Sequence, residues 1–226
     1  MFFFVFSAFS AFSVVSSFPA CAGGLQGPVK VLDKDGKPRE TLKDTIAILE
    51  ATGPQKPPLE KRPVLKVRTQ GKRFVPRVSF TTPGSPVAFP NLDSLLHNVF
   101  SVTPGNAFDT GHYEPGEAPR HTVRAPGLVK LYCNVHHKMN AFLWVIDTPW
   151  AEVLDGKAGL TFEGLPPGPY RLKLWHPEVG ERIFPVTIGE GVTQGAWTLQ
   201  ANLPPFEPHK NKFGKDYPPA KDEGSY

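Results

Sequence analysis

The chain reads as an all-β protein, and three observations carry that expectation. Proline and glycine are abundant, at 26 and 21 residues, and they interrupt nearly every apolar run. Val, Phe and Thr are frequent in those runs, and such residues suit a pleated, half-buried surface better than a helix. The runs are short, fairly evenly spaced and separated by turn dipeptides, which is the pattern of a β-sandwich. Two stretches are free of Pro and Gly for long enough to make a helix. Arg39–Thr52 has a β-branched TIAIL centre and is expected as a strand. Asn91–Thr103 is expected to hold a turn of helix around LDSLL before the strand HNVFSV.

Taken in order, residues 1–22 read as a signal peptide. Met1 to Phe18 is apolar, Ser-rich and uncharged, and its apolar core is too short and too Ser-rich for a membrane span. Ala20 and Ala22 supply an A-x-A end, so cleavage is expected before Gly23. No Lys or Arg precedes the apolar run, which departs from the ordinary signal-peptide pattern. A rival reading lipidates Cys21 and so tethers the protein to a membrane, although Phe18-Pro19-Ala20 makes a poor lipobox. Either way the expected location is the periplasm or cell envelope. After cleavage Cys133 is the one cysteine left, and an exported thiol with no disulfide partner points to a metal-bound or reactive role.

Residues 23–62 read as N-terminal strands and a Pro-rich loop. VKVLD and TIAILEA flank a turn signal at Asp35-Gly36, and GPQKPPLEKRP follows. Residues 63–147 carry the series VLKVRT, RFVPRVSFT, VAFPN, HNVFSV, HTVRA, LVKLYC and AFLWVID, a first β domain. Residues 148–201 form a second all-β module, with turns at Asp155-Gly156 and Pro166-Pro167-Gly168 and an alternating YRLKLWH strand. About fifty residues lie near the lower limit for a self-sufficient core, so this module is expected to pack on the first. Residues 202–226 read as a flexible tail in which four Lys balance four acidic residues.

The net charge is only +4 and the basic residues are scattered, without the dense Lys/Arg stripe of a nucleic-acid binder. There is no phosphate-binding glycine loop and no internal repeat. The stretch that stands out is LYCNVHHKMNAFLW, with Cys133, His136 three residues on and Met139 three further. Strand ends and loops of a sandwich would bring His97 of HNVFS beside it. One thiolate, two imidazoles and a weak thioether are the donors that a mononuclear electron-transfer copper ion takes. Each has a plainer reading: Cys133 as a buried structural cysteine, Met139 as core packing, His97 as a satisfied histidine. His137 competes with its neighbour His136 and is expected to be a solvated surface residue. Asn98 and Asn134, next in sequence to His97 and Cys133, are expected to hydrogen-bond the two segments together and orient the ligands.

Other residues add no second centre. His112, His121, His176 and His209 are scattered, with no His-x-His pair for a second or trinuclear copper. A structural zinc would want more strong ligands than this set offers. Asp109, Glu114 and Glu117 suggest no acid/base pair. Trp144 and Trp175 are expected to pack.

HNVFS followed by CNVHHKM resembles the copper signature of the cupredoxins, and the short C-x-x-H-x-x-M spacing is similar to the amicyanin type. RFVPRVSF, GSPVAFPN and FDTGHYEPG resemble plastocyanin-like and methylamine-utilisation proteins. The resemblance spans about residues 63–147. It implies an eight-stranded Greek-key sandwich holding one Cu(I)/Cu(II) ion on His97, Cys133, His136 and Met139. It also implies that electrons leave through a solvent-facing edge of His136 toward a redox partner such as a cytochrome or a dehydrogenase. FEGLPPGPYRLKLWHP resembles a carboxypeptidase regulatory-like domain, which implies a small transthyretin-like sandwich and no catalysis. Residues 28–52 belong either to that second layer or to the first domain. The expected function is therefore electron transport by a blue copper protein, not an enzyme. The rivals are a periplasmic copper carrier or chaperone and an envelope interaction module.

Overall fold

The computed structural model describes residues 23–53, 58–204 and 209–217. The expected signal peptide and Cys21 lie outside them. Among the described residues there are 18 strands and no helix, as the punctuated, β-branched sequence predicts.

The first sandwich faces two sheets across one core. One sheet runs β6 (Val78–Thr81), β12 (Asn140–Val145), β11 (Gly127–Tyr132), β8 (His97–Ser101), β9 (Phe108–Tyr113). The other runs β10 (Arg120–Thr122), β7 (Pro86–Ala88), β3 (Leu65–Lys66). Val67, Phe74, Val87, Phe89, Val99, Leu131 and Leu143 fill the space between them, each at most 2% exposed. FDTGHY, absent from the series of strands expected from the sequence, is strand β9. A bulge hides it: the register with β8 shifts between Asn98 and Phe100, and the Thr110 hydroxyl takes the Val99 amide in place of a ladder carbonyl. The helical turn expected around LDSLL is a bend. The Asn91 side chain accepts the Asp93 amide and donates to the Leu95 carbonyl, so local side-chain bonds displace helical ones.

The second sandwich is built from both ends of the chain. One sheet runs β13 (Ala151–Val153), β2 (Ile46–Ala51), β15 (Gly168–His176), β16 (Gly180–Ile188). In the other, β1 (Gly23–Leu32) pairs antiparallel with β14 (Gly159–Leu165) and parallel with β17 (Val192–Gln194) and β18 (Trp197–Gln200). Strand pairing thus places residues 28–52 in this second layer. The Asp35-Gly36 turn forms, with the Asp33 carboxylate accepting the Asp35 and Lys37 amides, but β1 and β2 then enter different sheets. The core of this unit alternates cleanly along β1, where Leu25, Val29 and Val31 point in and Gln26, Pro28 and Lys30 point out.

The two sandwiches share an apolar layer. On β12, Ala141, Leu143 and Val145 face the first core, while Phe142 and Trp144 face the other way. On β2, Ala47 and Leu49 face the second core, while Ile46 and Ile48 meet Trp144, Ile146 and Trp175. Burial on both faces explains why AFLWV and IAIL are continuous apolar runs and not alternating ones. Trp144 and Trp175 meet edge to face at 5.9 Å. Arg77 bridges the layers, donating to the Asp44 carboxylate at 2.8 Å and lying over the Phe142 ring.

Two measurements test this architecture. Trp175→Ala empties the shared layer and is expected to lower unfolding free energy by about 3 kcal/mol in urea denaturation. Arg39 grips Glu178 at both carboxylate oxygens. Its hydrogen bond holds the Glu178 carboxyl below the usual glutamate range. A depressed folded-state value means that this contribution is present above the ordinary glutamate pKa and lost as pH falls through the depressed one. Urea midpoints measured down to about pH 3 should therefore fall less steeply in Glu178→Gln than in the parent protein.

Candidate metal centre

The site forms where β8 begins and β11 ends. All five residues of β8 are buried, so His97 starts a strand flanked by β9 on one side and β11 on the other. Asp93, in the bend before it, accepts the Gly71 and Lys72 amides at 2.6 and 3.0 Å and meets His97 Nε2 at 2.8 Å. Burial pushes the Asp93 carboxyl up, but these hydrogen bonds outweigh it and hold the group below its ordinary value. An ionised Asp93 fixes the proton of His97 on Nε2, which leaves the Nδ1 lone pair to face Cys133 Sγ at 3.9 Å.

Cys133 follows β11 and opens a closed loop. Its amide donates to the Met139 carbonyl at 3.3 Å, and the Met139 amide donates to the His136 carbonyl at 2.9 Å. The His136 amide points at the sulfur, 3.5 Å away. Cys133 is fully buried, and burial pushes its thiol pKa up against the opposing pull of nearby backbone amides. The thiol therefore keeps its proton until a cation displaces it.

Asn98 ties the two segments together. Its side-chain oxygen accepts the Asn134 amide at 3.2 Å, and its Nδ2 donates to Asp109 Oδ1 at 2.6 Å and to the Gly111 carbonyl. Asn134 in turn accepts the Lys212 amide on its side-chain oxygen at 3.2 Å.

The structure gathers His97, Cys133 and His136 into one group. Their donor atoms all lie within 4.8 Å of one another and all three residues are buried. The two imidazole rings are 4.9 Å apart at 51°. Met139 is 2% exposed and belongs to the same buried cluster as Cys133. Two nitrogens and a soft sulfur in a buried site, one imidazole already oriented, fit a single borderline-to-soft metal ion.

Two expectations are corrected here. His137 is not a solvated surface residue: it is half-buried, its ring 5.4 Å from that of Tyr217. His136 keeps 9% of its surface exposed. The C-terminal stretch is not wholly a loose tail, because residues 209–217 contact the loop at several points. The sequence reading passed over Asp93, although a carboxylate four residues before a candidate ligand is a usable signal. It also passed over Lys212 and Tyr217, for which composition offers none. His121 and His176 stand apart: His121 stacks on Phe108 at 4.1 Å, and His176 accepts the Glu178 amide. Among the described residues no other donor group of this kind occurs.

No protein family model and no curated protein matches the chain. Solved structures similar to it include a copper(I) amicyanin variant, at 17% identity over 37% of this chain and 82% of that one, TM-score 0.34. A copper-containing nitrite reductase from Thermus scotoductus matches at 25% identity over 43% of this chain and 25% of its own, TM-score 0.35. A purple cupredoxin from Nitrosopumilus maritimus matches at 20% identity over 36% of this chain and 99% of its own, TM-score 0.33.

Asn98→Ala removes the acceptor for the Asn134 amide and the donor to Asp109. It is expected to cost about 2 kcal/mol of stability in chemical denaturation, more than an isolated surface hydrogen bond would.

Proposed function

We propose that the chain is an exported, mononuclear type 1 copper protein that carries single electrons between redox partners and is not an enzyme. The observation that supports this most is the buried group of His97, Cys133 and His136 with donors inside 4.8 Å. His97 Nδ1, Cys133 Sγ and a ring nitrogen of His136 would hold the ion, with the Met139 thioether as the weak fourth donor. Bound there, copper supplies a one-electron Cu(I)/Cu(II) couple.

The chain's own residues do the rest. Asp93 holds His97 in one tautomer and one orientation, and the Asn98–Asn134 bond holds the loop against β8. Ligands fixed from both sides move little when the charge they hold changes. Burial keeps water away from the sulfur, and Cys133 gives up its proton on binding. Residues 1–22 would direct export to the periplasm or envelope, with Cys21 as the attachment point if it is lipidated. The partner would be a redox protein, a cytochrome or a dehydrogenase, and no nucleic acid is involved. The second sandwich, transthyretin-like in this reading, contributes rigidity and no chemistry.

Adding Cu(II) to the purified protein tests the proposal. An intense visible thiolate-to-copper absorption is expected, and it should be absent from Cys133→Ser. His97→Ala should fail to retain copper through gel filtration, and retention as tight as in the parent would sink the ligand set. Repeated electrochemical oxidation and reduction is expected to leave the copper in place. Loss of the ion on each cycle would favour a metal carrier instead.

A further inference from the structure

Residues 209–217 form a short closed turn that lies against the ligand loop. Asn211 organises the turn: its side-chain oxygen accepts the Phe213 and Lys215 amides, and its backbone pairs with Lys215 and Gly214. From this turn four groups reach the site. The His209 ring stacks on Tyr132, the residue before Cys133, at 3.9 Å and 23°. Its Nε2 meets the His137 carbonyl at 2.8 Å. The Lys212 amide donates to the Asn134 side chain, and its Nζ pairs with Asp109 at 2.6 Å, the carboxylate that also holds Asn98. The Tyr217 hydroxyl donates to the Cys133 carbonyl at 3.3 Å.

These contacts do not cluster on one residue. They fall on Tyr132 at the end of β11 and then on Cys133, Asn134 and His137 of the loop that carries the donors. Val135 and Lys138 of this loop are exposed between its buried donors, and exposed loop backbone is where local opening begins. We propose that residues 209–217 are a clamp on the metal-ligand loop: Tyr217, Lys212 and His209 are positioning residues that hold Cys133 and His136 in place and restrict access to the sulfur. The inference rests on the copper reading only for its consequence in the loaded protein. Access to the sulfur is defined without any metal.

The test uses the metal-free, fully reduced protein, a chain ending at residue 208, and the double variant His209→Ala/Tyr217→Phe. Iodoacetamide alkylation is followed by peptide mass spectrometry, which counts Cys133 separately from Cys21. Cys133 should react about tenfold faster in the shortened chain and by a smaller factor in the double variant. Amide hydrogen exchange should rise across Val135–Met139 while β1 and β2 of the second sandwich exchange as before. Equal alkylation and exchange rates in all three proteins would overturn the clamp. A rise spread evenly over both sandwiches would overturn it too, since that marks general destabilisation. Should the shortened chain not fold, the double variant decides alone. Copper binding is not measured, so a failed clamp leaves the proposed function standing, and a protein that binds no copper leaves the clamp standing.

Discussion

The site depends on one hydrogen bond, from the Asn134 amide to the Asn98 side chain. The two segments it joins are 36 residues apart in the chain, and each carries part of the donor set. The bond is anchored, because Asn98 is itself held by Asp109 and by the Gly111 carbonyl on the neighbouring strand. Asp93 does for His97 what Asn98 does for the loop. One carboxylate satisfies two turn amides and the far nitrogen of the imidazole. Ligand geometry is thereby tied to backbone hydrogen bonds, which are costly to break in a buried place.

The layers beneath explain why this anchoring is stiff. β8 and β11 belong to a five-stranded sheet that faces the core of its own sandwich, and its strands β6 and β12, with Leu128 of β11, are covered on the other face by the apolar layer shared with the second one. A sheet packed on both sides cannot flex without opening a cavity. The second sandwich therefore serves the site at a distance, through Trp144, Trp175 and Ile46, and not by offering ligands.

Much of this was legible in the residues. AFLWVID, LVKLYC and TIAILEA announce strands because β-branched and aromatic runs between turns have few other fates. What misled were places where side chains took over from the backbone. FDTGHY lost its strand signal to a bulge at Gly111, whose φ of 70° suits glycine. LDSLL looked helical, but the Asn91 side chain takes the Asp93 amide and the Leu95 carbonyl, and the Asp93 carboxylate turns away to the Gly71 and Lys72 amides. The Lys-rich C-terminus looked solvated because hydrogen bonds to a distant loop leave no periodic trace.

The sequence by itself determined the all-β class, the candidate donors at positions 97, 133, 136 and 139, and the asparagines beside two of them. Those follow from residue type and from spacing within short segments, where chemistry is local. Only the tertiary structure decided that residues 28–52 close the second sandwich, that Asp93 orients His97, and that the C-terminal turn rests on the loop. Each of these joins residues through strand pairing or side-chain bonds across a fold, and such pairings are set by three-dimensional packing, which no local pattern encodes.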